Sequence, residues 1–205
     1  MKPKTKTTPD LSLTSPSHAE AVKLGKDHFL QDNRAVIDEF KNLSNEQIKN
    51  RLQETAFPYA VCIESWTGNL NISTVIRNAN AFNAREVFYL GAKRFDRRGM
   101  QGANNYIDIT FLPTVDDLIA LKSKYTFVGI DNNLQRAIPL AKHTWIKNTM
   151  VIFGAEDVGL TPEVQDLCND IVYIPQFGSV RSVNCAVASG IIMNDMVTKY
   201  LNEKT

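Results

Sequence analysis

The sequence predicts an α/β protein in which helices cover both faces of a parallel sheet, preceded by an N-terminal helical extension. Short apolar runs alternate along the chain with segments whose apolar residues recur at helical spacing, and this alternation is typical of parallel sheets. Of the 205 residues, 43% are hydrophobic, which is enough for one domain with a sizeable core. We expect an arm and helical extension over residues 1–55 and the α/β domain over residues 56–205.

Composition excludes some classes of protein and leaves others open. The formal net charge is +1, so any nucleic-acid contact must come from local clusters of charge. Three widely spaced cysteines without a CxxC pair, together with only three histidines, disfavour a structural metal site and favour reduced thiols in a cytoplasmic protein. The first residues lack the apolar core of a signal peptide, and no apolar run approaches membrane-spanning length. We therefore expect no membrane partner.

The N-terminal region is predicted to be an arm followed by helices. Residues 1–17 are rich in Lys, Thr, Pro and Ser, which predicts a mobile arm. Residues 18–55 have a helical pattern, in which an apolar stripe is formed by Val36, Ile37, Phe40 and Leu43. Ser44 and Gln47 have the spacing of a capping box and predict the start of a further helix.

Six strands and four helices are predicted in the α/β domain. The strands cover residues 59–64, 86–90, 107–112, 125–130, 149–153 and 171–174. The helices cover residues 69–82, 115–121, 161–168 and a last segment that ends near residue 201. In such sheets ligands bind beyond the carboxyl ends of the strands. The loops that follow Glu64, Ile130, Phe153 and Ile174 are therefore the candidates for a site.

The segment after the first strand contains an unusual arginine. Asn71 lies near the predicted start of a helix and is suited to cap it. Arg77 lies six residues further on, in a helix that is otherwise made of Ile, Val, Ala, Ser, Thr and Asn. An anionic ligand and a surface salt bridge both explain such an arginine, and this segment alone does not decide between them.

The segment 151–162 combines a strand with a glycine-flanked loop, VIFGAEDVGLTP. It has the outline of a phosphate-binding P-loop, but Leu160 stands where that motif needs a lysine, and two acidic residues lie inside the loop. We therefore reject a nucleoside-triphosphatase. Thr161 as N-cap and Pro162 at the first helical position explain the end of the loop, whereas Glu156 needs another role. No strand is followed by G-x-G-x-x-G, which disfavours a nicotinamide or flavin site.

The segment 174–190 runs from the last strand through a loop into a helix with small residues at Ala186, Ala188, Ser189 and Gly190. Ser182 is predicted to be the N-cap of that helix. Small residues allow another backbone or a ligand to come close. An ordinary strand–loop–helix turn and a binding site fit this stretch equally well.

Taken in order, these three segments resemble the signature motifs of the SpoU (TrmH-like) branch of the SPOUT RNA methyltransferases. Asn71 together with Arg77–Ala79 resembles the first motif of the family. Residues 153–160 resemble the second motif, and residues 174–184 resemble the third. The chain departs from the family at Gln176, where methionine is common. Two smaller departures are Val183 in place of leucine and Cys185-Ala186 in place of Val-Ser.

The resemblance implies a fold, a cofactor and a reaction. Family members bind S-adenosylmethionine in a C-terminal trefoil knot, act as homodimers and methylate ribose 2′-hydroxyl groups of RNA. The residues that would hold the cofactor are Ile130, Gly154, Ile174 and Val183. The residues that would orient the ribose hydroxyl are Arg77 as the principal group, with Asn71, Glu156, Ser182 and Asn184. A guanidinium is very hard to deprotonate, so we favour an orienting role for Arg77.

A basic loop extends the resemblance to tRNA guanosine 2′-O-methyltransferases. The cationic residues that would contact RNA phosphates are Lys93, Arg94, Arg97 and Arg98. We favour a guanosine in the D-loop of tRNA over rRNA as substrate. A catalytically silent RNA-binding or assembly factor of the same fold is the alternative, although all the motif residues are present. A small-molecule α/β enzyme is disfavoured, because no nucleophile–base pair or metal cluster appears.

Overall fold

A computed structural model describes residues 34–65, 71–91, 94–132, 134–155 and 159–203. The chain divides into two units, Met1–Asn42 and Leu43–Thr205. In the described part of the first unit, a single 3-10 turn covers Asp38–Phe40 and Ile37 is 61% exposed. Within the segment of predicted helical pattern, residues 34–44 contain only this short turn, and Asn42 adopts a left-handed conformation (φ 67°) that does not continue a helix. The predicted arm lies outside the described residues.

Helix α1 (Asn45–Thr55) begins at the predicted capping box. The Gln47 amide donates to Ser44 Oγ at 3.1 Å, and the Ser44 amide donates to Gln47 Oε1 at 2.8 Å. Further along the helix, Lys49 pairs with Asp108, and Gln53 Nε2 donates to the same carboxylate at 2.7 Å. These contacts join α1 to the segment before a sheet strand, within the unit Leu43–Thr205. The domain boundary after residue 55 stays a prediction.

The seven described strands form one sheet in which every pairing is parallel. They are β1 (Phe57–Ser65), β2 (Ala84–Gly91), β3 (Ile109–Leu112), β4 (Thr126–Ile130), β5 (Ile138–Pro139), β6 (Thr149–Phe153) and β7 (Asp170–Tyr173). Their order across the sheet is β3-β2-β1-β6-β4-β7-β5. The predicted parallel sheet is confirmed, and the two-residue strand β5 adds an edge that the sequence pattern did not reveal.

Helices cover both faces of the sheet, as predicted. The remaining helices are α2 (Asn71–Ala81), α3 (Val115–Ile119), α4 (Pro162–Leu167) and α5 (Cys185–Asn202). Val61 and Ile63 of β1 join a core cluster with α2 and α5, whereas the alternate residues Ala60 and Cys62 join a second cluster with α3 and α4. Within the described ranges, none of the helices combines the length and apolar character needed to cross a bilayer.

A buried histidine anchors the end of α5. His143 is 7% exposed and packs edge-on against Trp145, with 4.4 Å between ring centroids. Trp145 Nε1 donates to Asp195 at 2.7 Å, and Lys199 Nζ donates to the His143 carbonyl at 3.0 Å. Burial lowers the pKa of His143 below its usual value, an effect that nearby Lys199 reinforces and that Asp170 and Asp195 oppose.

We expect His143 to make the fold acid-sensitive. The unfolded chain binds the proton near pH 6.5, whereas the folded chain binds it only at lower pH. Stability is therefore lost as pH falls below about 6.5. The drop in melting temperature between pH 7.5 and 5.5 should be smaller in His143→Asn, which cannot ionise, than in the wild type. Equal drops in the two proteins would contradict this assignment.

Candidate functional site

Helices α2 and α5 lie against each other through an asparagine and the small residues of α5. Asn78 Nδ2 donates to the Ala186 carbonyl and to Ser189 Oγ, both at 2.9 Å. Ser189 is buried and donates in turn to the Ala186 carbonyl at 2.8 Å. A Cβ at Gly190 would lie 3.6 Å from Asn78 Nδ2. The small residues of α5 therefore make room for the polar side of α2.

Asn184, not Ser182, caps α5. Its Oδ1 accepts from the amides of Ala186 at 2.9 Å and Val187 at 3.4 Å, so the helix begins at Cys185, three residues after the predicted N-cap. Asparagine is among the strongest N-caps. Asn184 Nδ2 also donates to Asn71 Oδ1 at 3.1 Å. The first and third motifs therefore meet at the N-terminal ends of α2 and α5.

The glycine-flanked loop after β6 is closed by its own backbone. The amide of Ala155 donates to the Gly159 carbonyl at 3.1 Å, and the amide of Gly159 donates to the Ala155 carbonyl at 2.9 Å. A Cβ at Gly154 would lie 2.1 Å from the carbonyl carbon of Gly159, while Gly159 itself has φ +69°. The close approach requires a glycine at position 154, and the left-handed backbone favours one at position 159.

Two buried carboxylates hold the chain beyond that loop. Glu64, at the end of β1, is fully buried, and its Oε2 accepts from the Thr161 amide at 2.9 Å. Asp131 follows β4, is 9% exposed, and its Oδ2 accepts from the Leu160 amide at 3.4 Å. Thr161 then caps α4 with Pro162 at the first helical position, as predicted. Acidic side chains thus fix the loop beside the carboxyl ends of the strands.

A cavity of about 210 Å³ opens at this edge of the sheet. The four residues predicted to hold a cofactor all line it, as does the predicted ribose-orienting Ser182. The lining residues that the structure describes are Ile130, Asp131, Asn132, Phe153, Gly154, Ala155, Gly159, Tyr173, Ile174, Gln176, Arg181, Ser182, Val183, Cys185 and Ala188. Such a volume suits part of a small molecule. A nucleic-acid strand must therefore approach from outside the cavity.

Three other predicted ribose-orienting residues, Asn71, Arg77 and Asn184, lie outside the lining. Asn71 and Asn184 are hydrogen-bonded to each other, and Asn184 is flanked in sequence by the lining residues Val183 and Cys185. Arg77 is exposed on α2, and its guanidinium has no hydrogen bond or ion pair to any described residue. Glu156 lies outside the described residues.

The basic loop packs beside the same helix. A Cβ at Gly99 would lie 2.3 Å from Ser73 Oγ and 3.0 Å from Thr74 Oγ1, so the loop contacts the first turn of α2. Arg77 lies four residues after Ser73 and three after Thr74. Residues at this spacing are neighbours on a helix surface, so Arg77 lies on the same side of α2 as these two residues. The loop thus lies next to the turn of α2 from which Arg77 projects.

Within the basic loop, one cation is partly neutralised. Arg98 donates to Asp96 from Nε at 2.9 Å and from a terminal nitrogen at 2.5 Å. These hydrogen bonds lower the pKa of the Asp96 carboxyl and raise the pKa of Arg98. Arg94 and Arg97 are exposed, whereas Lys93 lies outside the described residues. Arg94 and Arg97 are the more available cations for phosphate contacts.

The cysteines do not supply a nucleophile. Cys62 and Cys168 are buried free thiols, and burial raises the pKa of Cys168 to about 12. A thiol with such a pKa is protonated at neutral pH and weakly nucleophilic. Cys185 is half-buried in the cavity wall, where it contributes packing.

Sequence reasoning missed the polar lining of the cavity. Asp131 and Asn132 directly follow β4, and Arg181 lies in the loop before α5. Asn132 Nδ2 donates to the Arg181 carbonyl at 2.7 Å and so joins these two loops. A polar pair immediately after a buried strand was the available signal, because ligands bind at the carboxyl ends of parallel strands.

Comparison with known proteins identifies the family. The model of the SpoU rRNA Methylase family matches residues 58–194, more than half of the chain. A 23S rRNA (guanosine-2′-O-)-methyltransferase RlmB of Acinetobacter baylyi is 24% identical over 198 residues, covering 93% of this chain and 80% of that protein. A tRNA (guanosine(18)-2′-O)-methyltransferase of Escherichia coli is 28% identical over 137 residues, covering 65% of this chain and 60% of that protein.

Solved structures share the fold. The Aquifex aeolicus TrmH/SpoU tRNA modifying enzyme superposes with a TM-score of 0.67 at 20% identity, over 78% of this chain and 86% of that one. The methyltransferase AviRb of Streptomyces viridochromogenes, in complex with AdoMet, gives 0.63 at 22% identity over 69% of this chain and 57% of that one. The trefoil knot stays a prediction for this chain. The three motifs border the carboxyl edge of this sheet, and the family model matches the segment that contains them. The chain therefore belongs to the SpoU rRNA methylase family.

Proposed function

We propose that this protein transfers a methyl group from S-adenosylmethionine to the 2′-hydroxyl of a guanosine ribose in RNA. One observation carries the proposal. Ile130 ends β4, Gly154 follows β6, and Ile174 and Val183 lie at the two ends of the loop between β7 and α5. All four nevertheless line a single cavity whose wall continues into the Asn184–Asn71 hydrogen bond. A small-molecule site thus adjoins polar groups that are open to a large substrate.

The cavity fits the cofactor chemically. Its apolar side chains suit an adenine ring, while Asp131 and Arg181 offer opposite charges for the ammonium and carboxylate of the methionine part. When bound, S-adenosylmethionine supplies a methyl group on a positively charged sulfur that an oxygen nucleophile can attack. Gly154 and Ile174 both line the cavity, so their backbone groups are our candidates for the edge of the base.

Arg77 is the group we assign to the RNA. Its exposed guanidinium has the planar donor geometry that holds a ribose oxygen and an adjacent phosphate together. Asn71 and Asn184 position the ribose at the mouth of the cavity with Ser182, and Glu156 is assigned to the same set. Holding reactants in order can lower a barrier by several kcal/mol, on the order of 7 or more in favourable cases.

A tRNA substrate, with the methylated guanosine in the D-loop, is our first candidate. The basic loop that contacts α2 would hold phosphates next to the reacting ribose, with Lys93, Arg94, Arg97 and Arg98 as its cations. The reaction is then cytoplasmic. Ribosomal RNA is the second candidate, because the relative that covers 93% of this chain is named for 23S rRNA. A silent RNA-binding factor of this fold would bind RNA without transferring methyl groups.

The experiment that tests the function is methyl transfer from labelled S-adenosylmethionine to unmodified tRNA and to unmodified rRNA in parallel. Mapping of 2′-O-methylated riboses then identifies the nucleotide. Label in a D-loop guanosine supports the first candidate, and label only in rRNA supports the second. RNA binding without label in either substrate would contradict the enzyme assignment and favour the silent factor.

We also propose that the protein is a homodimer, on the basis of exposed apolar side chains in the loop and helix that border the cavity. They are Phe177 (98% exposed) and Val180 (64%) in the loop before α5, and Val187 (55%) and Ile191 (40%) on α5. Val187 and Ile191 are four residues apart and lie on one side of α5. Exposed apolar side chains grouped in this way are typical of protein interfaces.

Val187→Asp should convert the dimer to single chains. An aspartate in the first turn of α5 suits the helix itself, so we expect the loss to arise from the interface. Light scattering after size exclusion should give twice 23.0 kDa for the wild type and a single chain for the variant. Ile146→Asp, at another exposed isoleucine (52%), is the control and should remain dimeric. A monomeric wild type would refute the proposal.

A further inference from the structure

One polar atom of the cavity wall has no partner. Gln176 follows β7 in the loop that leads to α5, and its side chain lines the cavity. Its Oε1 is shielded from solvent and accepts no hydrogen bond from any described residue. The other such atom, Ser65 Oγ, is not part of the cavity and adjoins in sequence residues outside the described ranges. Of these two atoms, Gln176 Oε1 is therefore the one that a ligand in the cavity could satisfy.

A buried carbonyl oxygen without a hydrogen bond is costly, and native proteins almost always satisfy one. Gln176 borders a cavity suited to a small molecule, although its Oε1 is not itself open to that cavity. The terminal torsion of a glutamine is broad, so a turn of the amide brings Oε1 to a ligand N–H, which is the donor we expect. Methionine, which the family often has at this position, offers only a weak acceptor. The requirement for a donor is therefore a property of this chain's own residue.

The charges of the cavity indicate which donor it is. Among the lining residues that the structure describes, Asp131 and Arg181 are the two with charged side chains, and they match the ionised ends of the methionine part. A neutral amide oxygen that is buried beside apolar side chains matches a neutral amine better than an ammonium, which would lose more hydration. The exocyclic amino group of adenine is the neutral amine of the cofactor.

We propose that Gln176 accepts a hydrogen bond from the 6-amino group of the cofactor's adenine and so selects an aminopurine at this site. The inference rests on the proposed function, because it takes S-adenosylmethionine as the ligand of the cavity. It assigns base selectivity to a side chain, where the family resemblance alone would leave it to backbone groups. Gln176 is a specificity-determining residue in this assignment and not part of the methyl-transfer chemistry.

The test is calorimetric and needs no catalysis. Binding of S-adenosylhomocysteine is compared with binding of its analogue that carries hydrogen in place of the 6-amino group, in the wild type and in Gln176→Met. Loss of the amino group should weaken binding about five- to tenfold more in the wild type than in Gln176→Met, the value of one neutral hydrogen bond. The affinity ratio of the two ligands is compared between the wild type and Gln176→Met. Contacts of the amino group with other atoms contribute equally to both ratios and therefore cancel.

Two further variants complete the design. Gln176→Glu keeps an acceptor oxygen and should retain the wild-type preference for the amino group even where overall affinity changes. Gln135→Met makes the same substitution at an exposed glutamine outside the cavity lining and should behave as wild type.

The outcomes separate the two proposals. Equal preferences in the wild type and Gln176→Met, or loss of the preference in a folded Gln176→Glu, would overturn the role of Gln176 alone. A wild-type protein that binds neither ligand would overturn the cofactor assignment and, with it, this inference. If Gln176→Met does not fold, Gln176→Ala takes its place, with the same expected loss of preference and the same contradicting result.

Discussion

Replacing Arg77 with alanine should lower the rate of methyl transfer to RNA by about 100-fold or more, while the affinity for S-adenosylhomocysteine stays within about twofold. The rate effect is that of removing one well-placed charged donor from a reacting oxygen. Affinity is spared because Arg77 is not among the residues that line the cavity. The fold is spared because the side chain is exposed and alanine is the best helix former.

Single-turnover transfer with saturating cofactor measures the first quantity, and calorimetry measures the second. Arg51→Ala is the matched control, since Arg51 is an exposed arginine on α1, an 11-residue helix like α2. It should retain full activity. Arg77→Lys keeps the charge without the planar fork and should recover less than about a tenth of the wild-type rate.

Two results would count against this role. Transfer by Arg77→Ala at close to the wild-type rate would remove Arg77 from the reaction. A large loss of cofactor affinity in the same variant would assign it to cofactor binding instead. The Arg77 variants thus distinguish two roles. One is orientation of the RNA ribose, and the other is binding of the cofactor in the neighbouring cavity.

The strands were predictable because burial on both faces leaves continuous apolar runs in the sequence. The strand Thr149–Phe153 has the predicted limits, and all five of its residues are buried. Strand β5 could not be predicted in the same way, since Ile138–Pro139 is too short to show a period. Residues 34–44 show the opposite error, because their apolar residues have helical spacing although the segment contains only the 3-10 turn Asp38–Phe40.

At the site, the sequence identified the loops but not how they meet. Ser182 and Asn184 are both good N-caps, and only the position of Asn71 on the adjacent helix shows why Asn184 takes the role. Helical spacing likewise placed Arg77 on α2 but could not say that it lies outside the cavity. Asp131 and Arg181 come from segments 50 residues apart, so their shared cavity is a product of tertiary structure.

The shape of the cavity depends on a close backbone contact at Gly154. Its Cα faces the backbone of Gly159 and Leu160, and an added Cβ would lie 2.1–2.4 Å from three of their atoms. Those backbone atoms are held in turn by the Ala155–Gly159 hydrogen bonds and by the Asp131 carboxylate. No flexible side chain is available to move aside, so relief of the clash must displace the loop itself.

Gly154→Ala should therefore lower both stability and cofactor affinity. Overpacking of this kind costs about 1–3 kcal/mol, which corresponds to a fall in melting temperature of roughly 3–10 °C for a protein of this size. Displacement of the loop moves Gly154, Ala155 and Gly159, all of which line the cavity. We expect S-adenosylhomocysteine to bind at least about tenfold more weakly, since misplaced loop groups lose one or more hydrogen bonds to the ligand.

Gly178→Ala is the matched control, because a Cβ at Gly178 meets no atom within 4 Å and that glycine does not line the cavity. Its melting temperature and cofactor affinity should equal those of the wild type. Wild-type values in Gly154→Ala would show that the loop after β6 tolerates a shift of its backbone. Cofactor binding would then not depend on the close contact between Gly154 and Gly159. The glycine of the second motif would have to be explained by something other than the shape of the cavity.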